Sequence, residues 1–172
     1  MAFTVEDGTI VANANAYITV AEFKAYHDEV GNSYAALADD TAIEQAIVKA
    51  TRYVERRWGN RFRGTIQDTD QVLSFPRLYL QDRYGRLLTG IPTVLKDAIA
   101  IYALASASGA LEPEPTVQEN GQTLKRVREK VGPIETETEY SDDASVDVTR
   151  LIPEADRLIQ QLVFGVGGVV RA

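Results

Sequence analysis

One stretch constrains this chain more than any other: AIEQAIVKATRYVERRWGNRFRG from Ala42, followed after a polar spacer by QVLSFPR, which ends at Arg77. Ile43, Ala46, Ile47, Ala50, Tyr53, Val54 and Trp58 recur every three or four residues, so a 3.6-residue period places them on one stripe of a helix. Thr41 followed by Glu44 has the spacing of a capping box, and Gly59 has the position of a C-terminal stop. The opposite face carries Lys49, Arg52, Arg56 and Arg57, and Arg61 and Arg63 follow the stop. Against these basic residues stands a single acid, Glu55. Val72, Leu73 and Phe75 then form a short apolar run closed by Pro76, which reads as an edge strand or extended arm. The segment thus combines a core helix, a basic rim and an arm, and the rest of the chain must cover it or extend from it.

At 172 residues and 45% apolar content the chain can bury one real core. A formal charge of −7 argues against coating nucleic acid with the whole surface, but leaves room for a local basic face. No cysteine is present, so neither disulfides nor thiolate metal sites can hold the fold. MAFTVEDGTI lacks the pattern of a signal peptide, and no apolar run approaches the roughly 18 residues of a membrane span. The expectation is a soluble intracellular chain.

Residues 1–18 read as an extended N-terminal arm. Thr19 and Glu22 make a second capping box, opening a short helix that Gly31 stops. Residues 60–90 show poor helical periodicity and read as an extended excursion, with Leu78–Leu88 rich in arginine and aromatics. Pro92 sits at the first position of an Ala-rich helix whose stripe is Val94, Leu95, Ala98, Ile99, Tyr102 and Ala105, ended by Gly109. After Asp97 this helix is apolar almost all round, as expected of the most buried one. Residues 122–140 read as a β-hairpin turning at Gly132–Pro133. One arm carries Lys125, Arg126, Arg128 and Lys130, the other Glu135, Glu137 and Glu139, so that opposite charges face each other. Pro153 begins a last helix over 153–164, and 165–172 is a glycine-rich, flexible apolar tail. The expected fold is mainly α: one domain holding a bundle of about four helices, with a β-hairpin and extended arms.

Catalytic signals are weak. His27 is the single histidine, and its default reading is an exposed or helix-end side chain. No zinc-protease, nucleophile-elbow, phosphate-loop or dinucleotide motif occurs. The pairs Asp39–Asp40 and Asp142–Asp143 are better read as caps and solvated turns than as metal ligands. No catalytic residue, cofactor or metal is expected. The basic rim is the strongest local anomaly. It is either a solvated helix face or a contact surface for an acidic partner or a phosphate backbone. Tyr53, Trp58 and Phe62 could stack bases, although Tyr53 and Trp58 fall on the core stripe. The run from Glu135 to Asp147 has no basic residue, and could meet the rim of a neighbouring copy in head-to-tail association.

The order of NAYITVAEFKAYH, AIVKATRYVERRWGNRFRG, QVLSFPR, IPTVLKDAIAIYAL and VREKVGPIETETEY resembles bacteriophage head–tail connector (adaptor, or head-completion) proteins of the DnaT-like type. The resemblance covers about Ala14 to Phe164. It implies a ring, commonly a dodecamer, between portal and tail, with the genome passing through without sequence-specific binding. The expected function is therefore a structural connector of the virion neck, assembled in the host cytoplasm, with the portal and the next tail protein as partners and no membrane. On that reading Lys49, Arg52, Arg56, Arg57, Arg61, Arg63, Glu135, Glu137 and Asp142 form subunit interfaces. Gly165, Val166, Val169, Val170 and Arg171 then dock on the portal. The alternative, suggested by the family's label, is a single-stranded DNA-binding accessory protein of replication that uses the basic rim.

Overall fold

The computed structural model describes residues 2–82, 84–113 and 150–164 in full, together with the backbone of 123–130 and 135–141. Among them run four α-helices: α1 (Val20–Val30), α2 (Asp40–Trp58), α3 (Thr93–Ala107) and α4 (Pro153–Gln160). Two short antiparallel pairs accompany them. β1 (Thr65–Ile66) pairs with β2 (Arg77–Leu78), and β3 (Thr123–Lys130) with β4 (Glu135–Ser141). The expected class, mainly α with a hairpin, is what the chain adopts.

The chain divides into two compact units, Met1–Leu111 with Leu151–Ala172, and Glu112–Arg150. In the first, α2 packs chiefly on α3, and α3 on α4. Every residue of the α2 apolar stripe is buried, from Ile43 to Trp58. On α3 the buried set extends beyond the stripe to Ala100, Ile101 and Ala103, because α1, α2 and α4 all pack against this helix. Its small side chains let neighbours approach from more than one side. In the second unit the hairpin is antiparallel, with Arg126 across from Glu139, Arg128 across from Glu137 and Lys130 across from Glu135. Its expected turn at Gly132–Pro133 lies outside the described residues.

Several local expectations need correction. Helix α2 is capped by Asp39, whose carboxylate accepts from the Ala42 N–H at 2.7 Å, so Thr41 falls inside the first turn and no Thr41–Glu44 box forms. The Thr19–Glu22 box does form, and Gly31 closes α1 in the left-handed region. Gly59 is right-handed (φ −51°) and passes the chain into a 3-10 turn, Gly59–Arg61. A Cβ there would stand 3.2 Å from Ser74 Oγ, so this glycine admits a neighbouring loop and does not reverse the chain. Pro92 caps α3 from just outside, its carbonyl accepting from Leu95 and Lys96, and Ser108, not Gly109, is the C-cap. Pro153 occupies the first turn of α4 as expected.

The two stretches expected to be extended and peripheral are instead tied into the core. In the N-terminal segment Ala14, Ala16, Tyr17 and Ile18 are buried. Glu6, itself buried, accepts the backbone N–H groups of Gly8, Ile10 and Val11 at 2.8–3.0 Å and thereby folds the arm on itself. Val72–Phe75 is not a strand. Leu73 and Phe75 enter the core, the Phe75–Pro76 peptide is cis, and pairing begins only at Arg77. The Arg77 guanidinium donates to the carbonyls of Phe62, Arg63, Gly64 and Ser74 at 2.8–3.2 Å, clamping the loop to the end of α2. Burial lowers its pKa from the ordinary arginine value.

Candidate nucleic-acid interface

The expected rim separates into two groups. Lys49, Arg52 and Arg56 are exposed. Their spacing of three and four residues keeps them on one face of α2, over about 10 Å of axis at ~1.5 Å per residue. Arg57, Arg61 and Arg63 turn to the body of the protein. Arg57 forms a two-pronged pair with Asp156 of α4 (3.0 and 3.3 Å), donates to the Tyr53 hydroxyl, and lies 4.7 Å from the centre of the Trp58 ring. Burial opposes the Arg57 charge, but the Tyr53 and Asp156 oxygens outweigh it and raise the pKa. Tyr102 also donates to Asp156, and burial followed by that bond raises the Tyr102 pKa. Arg61 also sits over the Trp58 ring, 5.1 Å from its centre, and Arg63 donates to the Gln161 carbonyl. Arg57 and Arg63 thus join the end of α2 to α4 and its C-terminal turn, while Arg61 packs on Trp58.

Glu55 does not serve as the rim's plain counter-ion. Its Oε1 accepts from Tyr17, and its Oε2 accepts from the Ser74 N–H (3.2 Å) and hydroxyl (2.6 Å). The carboxylate thus ties the N-terminal segment and the 72–75 loop to α2. Burial and Glu55 together raise the Tyr17 pKa.

Two open clefts flank Arg52. One, of about 360 Å³, lies toward the start of α2 between Phe3, Asn15, Gln45, Val48 and Lys49. The other, of about 370 Å³, is bounded by Asn13, Ala14 and Asn15, by Thr51 and Glu55, by Val72 and Leu73, and by Arg52 and Arg56. Arg52 and Asn15 border both. The asparagines and Val72 are residues that sequence reasoning missed as site candidates. The only signal was the run of small polar residues in NANAY, which read as part of an extended arm.

The remaining candidates fall elsewhere. Tyr53, Trp58 and Phe62 are core residues, so the stacking role is not theirs. His27 is fully buried, contrary to its default reading: Nε2 lies 3.0 Å from the Ala100 carbonyl, and the ring is flanked by Phe23 and Tyr26. Asp39 caps α2 and Asp40 pairs with Lys24 at 2.6 Å. Glu135 and Glu137 hold hairpin positions opposite Lys130 and Arg128. Asp142 and the tail residues Gly165, Val166, Val169, Val170 and Arg171 lie outside the described residues. Among the described residues no helix is long and apolar enough to cross a membrane.

A family model described as "Putative DnaT-like ssDNA binding protein" matches residues 1–172. The chain belongs to that family. Neither the curated proteins nor the solved structures contain a significant match. The family's description overturns the expectation of a structural connector, because it names single-strand DNA binding, the reading held second at the level of sequence. The motif order behind the resemblance identified the family, whereas the connector role attached to it has no support in the match. In physical terms, the charge layout that suggested subunit contacts is equally what a phosphate backbone requires.

Proposed function

We propose that the protein binds single-stranded DNA, without catalysis, through the outer face of α2. The observation that carries this reading is the row Lys49, Arg52 and Arg56, exposed on one helix face beside two clefts, in a chain whose family is described by that activity. A row of cations along a helix can follow a flexible strand's phosphates, and clefts beside it give unstacked bases somewhere to go, which a duplex cannot exploit. The overall charge of −7 disfavours contact over the whole surface and suits one local basic face. The test is fluorescence anisotropy of a labelled single strand at low and physiological salt. Lys49→Glu/Arg52→Glu/Arg56→Glu should abolish binding while circular dichroism stays native, and a matched duplex should bind more weakly. Equal affinity of the triple variant and the native protein would refute the assignment.

A further inference from the structure

The cleft between Arg52 and Arg56 has an order of charge that selects what enters it. We propose that it receives one unstacked nucleobase, with the flanking phosphates held at its rim; this rests on the single-strand reading above. Of the charged residues that line it, Arg52 and Arg56 are exposed, whereas Glu55 is half-buried. A phosphate pushed inward would approach that carboxylate, so anions belong at the rim and a neutral group inside. Val72, Leu73 and Ala14 supply apolar walls of the kind a planar base covers, and Val72 is 60% exposed.

One lining residue gives a second sign of an absent partner. Thr51 is fully buried, and its hydroxyl finds no hydrogen-bond partner among the described residues. Such groups are rare in a native interior, and Thr51 is one of the residues that line this cleft. Glu55 Oε1 takes the Tyr17 hydroxyl, and a carboxylate oxygen has a further acceptor site. Two acceptors suit an exocyclic amino group with its two N–H donors, as in cytosine or adenine, better than the single N3–H of thymine.

The experiment compares a short cytosine single strand, a thymine strand of equal length and an abasic strand, each with the full-length protein. The native protein should bind the cytosine strand about tenfold tighter than the abasic one. Thr51→Val, which keeps the shape and removes the hydroxyl, should erase the preference for cytosine over thymine. Val72→Trp, at an exposed position that should not disturb folding, should fill the mouth and bring the cytosine-to-abasic ratio near one, leaving the salt dependence unchanged. Strong binding with no difference between cytosine and abasic strands would overturn the base pocket while leaving the DNA reading intact. Failure of the native protein to bind any strand would remove that underlying reading, and the pocket with it. A Val72→Trp protein that keeps the native ratio but changes sedimentation would assign the cleft to a second copy of the chain and overturn the proposal.

Discussion

His27 is a histidine the fold keeps neutral. Burial lowers its pKa from 6.5, only partly offset by the Ala100 carbonyl. A neutral ring can donate from Nε2 to Ala100 and accept at Nδ1 from the Asn32 amide 3.4 Å away, whereas the protonated ring cannot accept. With the folded pKa below the unfolded one, the unfolded chain binds the extra proton. Stability is therefore full above about pH 6.5 and falls as pH drops toward the folded value. Glu22, whose pKa lies below 4.5 through Lys96 and the Thr19 cap against the effect of burial, begins to matter only at lower pH. Between pH 7 and 5 the melting temperature should decline, and His27→Gln should flatten that decline. Asp156 makes a complementary case. Removing it by Asp156→Ala leaves Arg57 mostly buried without its carboxylate and should cost ~3 kcal/mol in chemical denaturation. Replacing both partners together, Arg57→Met with Asp156→Leu, should cost less than the single change, since no unpaired charge remains.

At the scale of elements, the fold depends on a few side chains that fasten irregular segments to regular ones. Glu55 ties residues 17 and 74 to α2, and Arg77 gathers the carbonyls of Phe62, Arg63 and Gly64 just past that helix together with that of Ser74. Gly64 is the tightest point of this arrangement. Its φ is +76°, and a Cβ would stand 2.4 Å from the Leu78 carbonyl oxygen, which is backbone that cannot step aside. Gly64→Ala should therefore break the β1–β2 pair and loosen the loop. Limited proteolysis should show faster cleavage within 65–80, and a protection pattern identical to the native one would contradict this account. The buried Trp58 ring, with Arg57 and Arg61 over it, belongs to the same region, and Trp58→Ala should lower stability by ~3–5 kcal/mol, as loss of a large core aromatic does.

On the scale of the whole molecule, the balance of charge makes a quantitative statement about binding. Three rim cations contacting three phosphates give a slope of log affinity against log salt of about −2, from ~0.7 per contact on a single strand. A titration from 50 to 200 mM salt should then weaken binding roughly 20-fold. A much steeper slope would mean that cations beyond this face take part. What the sequence alone determined was whatever depends on neighbours a few residues away. The α2 stripe, the Thr19–Glu22 cap, the start of α4 at Pro153 and the hairpin arms were legible because helical and strand periods impose them locally. What only the tertiary structure decided was the partner of each polar group. Arg57 and Arg56 are adjacent and alike in sequence, yet one meets Asp156 of α4, 99 positions on, and the other faces outward. The N-terminal segment looked like a free arm because its anchors, Tyr17 on Glu55 and the buried Glu6 loop, are not periodic. The clefts beside Arg52 exist because that segment folds back against α2, a contact between distant parts of the chain that no local pattern encodes.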